Sequence, residues 1–401
     1  MTTTSLADIQ AARELIRGIA IETPMEESRW LSAIAGGPVL LKAENLQRAG
    51  SFKIRGAYVR MSRLTEAERA AGVVAASAGN HAQGVALAAQ KLGIKAVVYM
   101  PTGAPIPKEK ATRGYGAEVR FAGNTVDEAL VHAQKYADET GAVLVHPFDH
   151  PDIVAGQGTV GLEILEQCPD VRTILVSTGG GGLIAGIASA VHALKPDVKV
   201  IGVQAEGAAA YPGSLEAGRP VALESMSTMA DGIAVARPGE VPFACISEML
   251  VEFVTVSEES LSQALLMLLE RAKLVVEPAG AATVAAMMDH PGRFETPAVA
   301  VLSGGNIDPL LMMNVIRHGL AAAGRFLVVR VRIPDRPGGL ARLLNELAEA
   351  EANVLDVVHE RTSAQLHLNE VEVALQLETR GVPHAERVLA RLRECGYQVF
   401  E

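Results

Sequence analysis

The sequence predicts an α/β protein in which a parallel-sheet domain is followed by a small domain of a different order. Short runs rich in β-branched residues alternate with Ala-rich helical segments over the first three quarters of the chain. This alternation is typical of parallel sheets that are covered by helices on both faces. The composition changes near residues 321–324, and a βαββαβ order of elements, ferredoxin-like, follows.

The elements of the first domain begin with a helix predicted over residues 6–18, where apolar side chains recur at helical spacing. Strands are predicted at 73–75, 96–100, 118–121, 143–146, 173–176, 198–203, 252–256 and 298–302. Helices are predicted at 82–91, 126–136, 158–167, 183–194 and 260–272. Ligands bind at the carboxyl ends of parallel strands, so the loops after these strands are the expected place for chemistry.

The second domain is predicted to start after a boundary near residue 322, which gives domains 1–322 and 326–401. Its strands are predicted at 326–333, 353–361, 370–379 and 397–400. Its two helices are predicted at 340–349 and 384–393.

Composition excludes several classes of protein. The 401 residues carry a net charge of -10 without any Lys/Arg run, which argues against a nucleic-acid partner. Three widely spaced cysteines form no zinc or disulfide pattern, so we expect a cytoplasmic protein. No signal peptide and no apolar run of about 20 residues are present, so no membrane partner is expected.

A lysine inside a Gly50-Ser51-Phe52-Lys53 sequence is the first candidate for chemistry. Ser51 is interpreted as a helix N-cap, and Phe52 offers a flat apolar face. A half-buried lysine has its charged form disfavoured, and a neutral amine can condense with an aldehyde. A solvated surface lysine is the ordinary interpretation of an isolated lysine.

Two loops that join a strand to a helix are candidates for anion binding. Residues 77–81 (Ser-Ala-Gly-Asn-His) put free N–H groups at a helix start, which suits a carboxylate, although an ordinary helix cap has the same pattern. His81 is interpreted as a structural histidine. Residues 179–182 are four glycines and predict a phosphate cradle. Gly180, Gly182 and Ala185 also fit a loose dinucleotide pattern, with Glu206 as a ribose ligand.

Two further stretches place polar groups near these loops. Ser303 ends a predicted strand, and its hydroxyl can bond to a ring nitrogen of a ligand. Glu277 lies at a predicted helix start, where its carboxylate either serves a site or complements the helix dipole.

Taken together, these motifs resemble the fold-type II pyridoxal phosphate enzymes, in particular the threonine dehydratase (threonine ammonia-lyase) family and its serine racemase relatives. The resemblance runs through residues 5–320 and includes the motifs at 51–57, 77–81, 146–147, 156–159, 179–183, 230–232 and 303–306. Residues from about 326 resemble an ACT domain, with 335–340 as its ligand-loop motif. The resemblance implies a tryptophan-synthase-β-like catalytic domain with a small subdomain, about 50–145, inserted.

The resemblance also implies roles for individual residues. Lys53 would be the catalytic lysine that binds pyridoxal 5'-phosphate covalently. The other implied cofactor ligands are Phe52, Asn80, Gly179, Gly180, Gly181, Gly182, Leu183 and Ser303. The implied ligands of the substrate carboxylate are Ser77, Ala78, Gly79, Asn80 and His81.

Two departures from the racemase pattern are informative. The racemases have a serine where this chain has Ala78, and alanine cannot donate a proton, so elimination is favoured over racemisation. The places of the racemase metal ligands hold Gln204 and Ala210, so no divalent metal is expected, and the sequence leaves a monovalent cation open.

The implied function is β-elimination of L-threonine to 2-oxobutanoate and ammonia, feeding isoleucine biosynthesis. Isoleucine or valine would be the effector at the ACT domain, and a homo-oligomer, dimer or tetramer, is expected. The alternatives are an L-serine dehydratase or serine racemase, a catalytically silent amino-acid sensor, and a nicotinamide oxidoreductase.

Overall fold

The computed structural model describes residues 4–361, 367 and 369–400. The chain divides into two compact units between Asp308 and Pro309. This division places helix Pro309–Ala322 with the second unit, and the predicted domain boundary near 322 stays a prediction. The outer ends of the two predicted domains, residues 1–3 and 401, lie outside the described residues.

The described elements include sixteen α-helices and fourteen strands. The helices are α1 Leu6–Leu15, α2 Arg29–Ala35, α3 Lys53–Ser62, α4 Glu66–Ala71, α5 Asn80–Leu92, α6 Ile106–Gly114, α7 Val126–Thr140, α8 Pro151–Gln167, α9 Gly182–Leu194, α10 Ala210–Glu216, α11 Glu240–Glu248, α12 Glu258–Met267, α13 Pro278–Asp289, α14 Pro309–Ala322, α15 Gly339–Glu349 and α16 Val382–Glu394. The strands are β1 Met25–Glu27, β2 Val39–Lys42, β3 Val73–Ala76, β4 Ala96–Met100, β5 Glu118–Phe121, β6 Val143–Leu144, β7 Thr173–Ser177, β8 Lys199–Ala205, β9 Glu252–Val256, β10 Ala298–Val301, β11 Phe326–Pro334, β12 Asn353–Glu360, β13 Glu370–Glu378 and β14 Gln398–Phe400. Short 3₁₀ or π segments cover Glu44–Leu46, Arg48–Gly50, Glu206–Ala208, Asp231–Ile233 and Leu268–Ala272.

Two sheets form the first unit. The larger has the order β1-β2-β10-β7-β8-β9 and is parallel except for β1, which pairs antiparallel with β2. The smaller has the order β5-β4-β3-β6, is parallel throughout, and lies in sequence between β2 and β7. Strands β3, β7 and β10 are buried along their whole length, as helices on both faces require. The predicted pair of parallel-sheet subdomains is therefore confirmed.

The eight strands predicted for the parallel sheets are present, but β6 is shorter than expected. The Nδ1 atom of His146 accepts hydrogen bonds from the N–H groups of Phe148 and Asp149, at 3.4 and 2.8 Å. The N–H of Val145 still donates to the carbonyl oxygen of Val74 in β3, and this local turn follows it. Strands β1 and β2 were not predicted from the sequence.

Helix α8 begins at Pro151, well before the predicted helix at 158–167, and its glycines lie against neighbouring helices. A Cβ on Gly156 would lie 2.6 Å from the Cα of Gly56 in α3. A Cβ on Gly158 would lie 2.8 Å from the carbonyl oxygen of Gly186 in α9. The glycines therefore allow α3 and α9 to approach the backbone of α8.

Four buried charged side chains, called the inner ion network below, join β2, α3 and α8. Arg55 donates to both oxygens of Glu44 and to both oxygens of Glu163, at 2.6–2.9 Å. Lys42 donates to Glu163 at 2.7 Å. Arg55, Lys42 and Glu44 are each 0% exposed. The network contains two cations and two anions, so its net charge is zero. The hydrogen bonds within each pair offset the free-energy cost of burying the charges.

Mutual pairing determines the protonation states of Arg55 and Glu44 in the inner ion network. Burial alone would lower the pKa of Arg55, but Glu44 and Glu163 outweigh it and raise that pKa. Burial alone would raise the pKa of Glu44, but Arg55 outweighs it and lowers that pKa. Both groups are therefore charged at neutral pH.

The second unit has the βαββαβ order predicted from the sequence. Its antiparallel sheet has the order β12-β13-β11-β14, and α15 and α16 place Leu343, Leu347, Val388 and Leu392 in the core. Among the described residues, no helix is both long and apolar enough to cross a bilayer.

Removing one cation tests the inner ion network. We expect Arg55→Met to reduce the free energy of unfolding by about 3–5 kcal/mol, because Glu44 and Glu163 would stay buried without their partner. The matched control is Arg13→Ala, which removes the exposed Arg13–Glu166 pair and costs less than about 1 kcal/mol. Urea unfolding of both variants measures the difference, and equal losses would contradict the assignment.

Candidate active site

A cavity of about 460 Å³ in the first unit brings together every catalytic, cofactor and substrate residue that the resemblance implies for the catalytic domain. Its size suits a cofactor together with a small substrate. The predicted residues that line it are Phe52, Lys53, Ser77, Ala78, Gly79, Asn80, His81, Gly179, Gly180, Gly181, Gly182, Leu183 and Ser303. These residues come from the smaller sheet, the larger sheet and the start of α3.

Lys53 is the first residue of α3, and its side chain lines the cavity. Its Nζ donates to the carbonyl oxygen of Pro147 at 3.0 Å and lies 5.1 Å from the centre of the Phe52 ring. Burial lowers the pKa of Lys53 to about 8, although Glu277 opposes the shift. A useful fraction of this amine is therefore neutral at physiological pH.

The prediction that Ser51 caps α3 is wrong. The N-cap residue is Phe52, and no side chain caps the helix. Ser51 is extended and pairs with Gly304 in an isolated antiparallel bridge, which holds the loop before Lys53 against the end of β10. The main-chain N–H of Phe52 donates to the carbonyl oxygen of Ser303 at 3.2 Å and strengthens the same junction.

The glycine loop, residues 179–182, leads from β7 into α9. Gly181 has φ +97°, and a Cβ there would lie 1.8 Å from the hydroxyl of Tyr211. A Cβ on Gly180 would lie 2.4 Å from the Phe148 ring. Helix α9 starts at Gly182 without a side-chain cap, so its first N–H groups remain for an anion.

The buried side-chain amide of Gln204 supports the glycine loop. The Nε2 atom of Gln204 donates to the carbonyl oxygens of Thr178 and Ala208, and its Oε1 accepts from the N–H of Tyr211. The Tyr211 hydroxyl then donates to the carbonyl oxygen of Gly180 at 3.2 Å. Sequence reasoning considered Gln204 only as a missing metal ligand. Its structural role depends on contacts with residues elsewhere in the sequence, which no local sequence pattern indicates.

Ser303 and Asn80 line the same cavity as Lys53. Ser303 follows β10 and is 4% exposed. The Nδ2 atom of Asn80 donates to Glu277 at 2.5 Å, and its Oδ1 accepts from Asn306 at 2.8 Å. An amide nitrogen carries two hydrogens, so Asn80 keeps one donor for a ligand.

Glu277 is the N-cap residue of α13, yet its carboxylate does not cap that helix. One oxygen accepts from Asn80, and the other, Oε2, has no partner among the described residues. Burial first, and the neighbouring Asp231 second, raise the pKa of Glu277 to about 7. Of the two interpretations drawn from the sequence, the contacts favour a carboxylate that serves the cavity.

The carboxylate loop, residues 77–81, uses some of its own donors. The N–H of Gly79 donates to the Ser77 hydroxyl at 3.0 Å, and the N–H of Ser77 donates to the carbonyl oxygen of Tyr99. Helix α5, starting at Asn80, has no side-chain cap. The N–H groups left for a ligand therefore belong to the first turn of α5.

His81 has the structural role that the sequence suggests. Its Nε2 bonds to the carbonyl oxygen of Val145 at 2.7 Å, and the residue is 4% exposed. Burial first, and the neighbouring Lys53 second, lower the pKa of His81 to about 3. The ring is therefore neutral and donates to Val145.

Several cavity residues were not among the sequence-based candidates. Lys108 of α6 donates to Asp231, and both line the cavity. His146 and Phe148 lie 4.7 Å apart between ring centres beside the glycine loop. Of these residues, only Asp231 and His146 were part of sequence motifs, Ala230-Asp231-Gly232 and His146-Pro147. No group of three His, Cys, Asp or Glu side chains in the described parts of the chain is placed to hold a metal ion.

Comparison with known proteins defines the class. The family model for "Pyridoxal-phosphate dependent enzyme" matches residues 16–304, and the model for "ACT domain" matches residues 327–394. The chain belongs to the pyridoxal-phosphate-dependent enzyme family and carries a C-terminal ACT domain.

Individual relatives narrow the comparison. An L-threonine ammonia-lyase of Thermotoga maritima is 46% identical over 395 residues, 98% of each chain. A solved threonine deaminase of "T.th." origin has TM-score 0.72 and 45% identity, covering 76% of this chain and 99% of that one. A solved maize serine racemase has TM-score 0.75 and 32% identity, covering 80% of this chain and 99% of that one.

The described residues fit pyridoxal phosphate. Glu277 Oε2 and the Ser177 hydroxyl are buried at the cavity wall without a partner, as expected of groups that await a ligand. The glycine loop offers uncapped N–H groups, and a Cβ on Gly180 or Gly181 would collide with the residues that support the loop. The nicotinamide alternative is not supported, because the matched family is a pyridoxal phosphate family.

The lowered pKa of Lys53 predicts how the cofactor is captured. An amine reacts with an aldehyde in its neutral form, so the rate of covalent capture by cofactor-free protein should rise about tenfold per pH unit below 8 and level off above it. Stopped-flow absorbance over about pH 6–10 measures this rate, a range that spans the shifted and the ordinary lysine pKa. A midpoint near 10.5, the ordinary lysine value, would show that burial does not act on Lys53.

The glycine loop is tested by adding one methyl group. We expect Gly181→Ala to weaken cofactor binding at least about 100-fold, because the φ of +97° is strained for alanine and the Cβ meets Tyr211. Gly213→Ala is the matched control, since a Cβ there meets nothing within 4 Å. Fluorescence titration with pyridoxal phosphate compares the two, and similar affinities would refute a close-fitting loop.

Proposed function

We propose that this chain is an L-threonine ammonia-lyase that converts L-threonine to 2-oxobutanoate and ammonia. The observation that carries the proposal is the position of the Lys53 amine, with a pKa of about 8, in a cavity lined by the glycine loop, Ser303 and the carboxylate loop. The Thermotoga maritima relative and the solved "T.th." deaminase, both named for threonine, support this substrate.

The proposed assignment of residues is the one that the resemblance implies, and the position of these residues around one cavity supports it. Gly179, Gly180, Gly181, Gly182 and Leu183 hold the cofactor phosphate at the start of α9. Phe52 packs on the cofactor ring, Ser303 bonds its nitrogen and Asn80 bonds its hydroxyl. Ser77, Ala78, Gly79, Asn80 and His81 form the turn that receives the substrate carboxylate.

Bound pyridoxal phosphate withdraws electrons from the substrate Cα and so weakens its bond to hydrogen. Lys53 is the base that takes this proton, because its pKa near 8 is close to the working pH. Ala78 has no group that could return a proton from the opposite face. Elimination of the β-hydroxyl is therefore favoured over racemisation.

We further propose that the ACT domain is regulatory and binds isoleucine or valine at its 335–340 loop. The βαββαβ unit with its own core supports an independent sensing module. The expected roles are cytoplasmic isoleucine biosynthesis and a homo-oligomeric enzyme. Three cysteines without a disulfide are consistent with a reducing compartment.

The activity assay compares threonine and serine as substrates. We expect a higher kcat/KM for 2-oxobutanoate from threonine than for pyruvate from serine, and inhibition by isoleucine. Lys53→Ala should reduce ammonia release to background, because it removes both the covalent link and the base. Lys91→Ala, which changes an exposed lysine at the far end of α5, should keep full activity.

Three outcomes decide among the alternatives. A larger kcat/KM for serine would favour the serine dehydratase alternative. Bound cofactor without ammonia release would favour a silent sensor. Isoleucine inhibition that persists after deletion of residues 326–401 would remove the regulatory role of the ACT domain.

Borohydride reduction and peptide mapping should place the cofactor on Lys53 in every active sample.

A further inference from the structure

One ion pair of the cavity, Lys108 with Asp231, has no part in the function proposed above. Lys108 on α6 donates from Nζ to Oδ2 of Asp231 at 2.5 Å. The Lys108 side chain is 8% exposed, whereas that of Asp231 is 57% exposed. Both residues line the cavity. The pair joins the helical layer of the smaller sheet to the 3₁₀ turn that packs on α13.

Lys108 stands beside the carboxylate loop. A Cβ built on Gly79 would lie 3.8 Å from its Nζ and would have no other neighbour within 4 Å. The space next to Gly79 is therefore open apart from the amine. A carboxylate placed on the first turn of α5 would come within reach of both the helix N–H groups and this cation.

The side chains that line the cavity single out Lys108 as a candidate cation for a substrate carboxylate. Of the described side chains that line the cavity, only Lys53 and Lys108 carry amines, and His81 is held neutral. Lys53 is assigned to the covalent link with the cofactor and to the transfer of the Cα proton. Lys108 is then the remaining amine that can neutralise an amino-acid carboxylate, and its three N–H donors can serve Asp231 and the substrate together.

Asp231 lines the cavity from the short turn Asp231–Ile233. A Cβ on the adjacent Gly232 would lie 2.9 Å from Ala279 and 3.6 Å from Glu277 Oε1, so this turn packs against the wall that holds Asn80. Asp231 gives only Oδ2 to Lys108. A half-exposed carboxylate that lines the cavity is suited to accept a hydrogen bond from a substrate hydroxyl.

We propose that Lys108 and Asp231 select the substrate, a β-hydroxy-α-amino acid. Lys108 binds the α-carboxylate together with the first turn of α5, and Asp231 accepts the hydrogen of the β-hydroxyl. This inference rests on the proposed function and adds the residues that recognise its substrate. It also explains why the chain carries an acidic residue in the Ala230-Asp231-Gly232 turn.

The test uses the holoenzyme and two ligands that differ by one hydroxyl. L-2-Aminobutyrate has the carbon skeleton of L-threonine without the hydroxyl, and its binding is measured from the absorbance change of the bound cofactor. The KM for threonine is measured by 2-oxobutanoate formation. Lys110→Gln removes the same charge from an exposed place on α6 and is the matched control.

We expect Lys108→Gln to raise the KM for threonine and the Kd for 2-aminobutyrate by about 10- to 100-fold, because a charge-assisted hydrogen bond is lost. We expect Asp231→Asn to raise the KM for threonine about tenfold and to leave the Kd for 2-aminobutyrate within about twofold. Lys110→Gln should change neither constant. In Lys108→Gln the change should lie in KM more than in kcat.

Two results would overturn the inference. The first is a Lys108→Gln variant with both constants within about twofold of the wild type. The second is an Asp231→Asn variant that weakens both ligands equally, with a double variant no worse than either single one, which is the behaviour of a purely structural link. If Lys108→Gln loses its cofactor, Lys108→Arg replaces it. Retained 2-aminobutyrate affinity in Lys108→Arg then supports the inference, and lost affinity contradicts it.

Failure of the proposed function can be told apart from failure of this inference. Binding of 2-aminobutyrate requires no turnover, so its dependence on Lys108 is measurable even if threonine yields no ammonia. Absent ammonia with intact ligand discrimination would refute the proposed activity alone.

Discussion

The buried guanidinium of Arg55 is the constraint on which the first unit depends. It is bonded to both Glu44 and Glu163, and therefore ties together segments that lie far apart in sequence. Arg55 is two residues after Lys53 on the same helix. The pairing that stabilises the fold thus also fixes where the reactive amine emerges. Because these charges are buried, their geometry allows few alternatives, and a helix anchored in this way holds its first residue steady.

Around this anchor the site is assembled from loops that each need support from elsewhere in the chain. The glycine loop takes its shape from Tyr211 and Gln204, and the junction at Ser303 depends on the bridge between Ser51 and Gly304. Asn80 is held between Glu277 and Asn306. Each ligand-facing group is therefore oriented by a partner that a bound molecule need not touch, which preorganises the cavity.

Sequence reasoning predicts the parts of this architecture that local pattern determines. Strands with continuous apolar runs are recognisable because helices on both sides require such runs, and the βαββαβ order of the second unit is visible from periodicity alone. The extent of strand β6 and the first turns of α8 are not predicted correctly, because His146 and Gly156 act through contacts that sequence does not display. The candidate residues for the cavity come from the resemblance and from loop chemistry. Lys108 and the unpaired oxygen of Glu277 are not foreseen, because their significance lies in partners far along the chain.

The close crossing of α3 and α8 restricts which substitutions this sequence can accept during evolution. Gly56 and Gly156 let the two backbones touch only one helical turn from Lys53. Insertion of a single methyl group would push α3 outward, and over so short a distance the amine would shift by a comparable amount. A displacement of about 1 Å can reduce turnover about 100-fold. These two glycines therefore tolerate no substitution, although neither contacts a ligand. Chemically larger substitutions are tolerated on the outer faces of the same two helices.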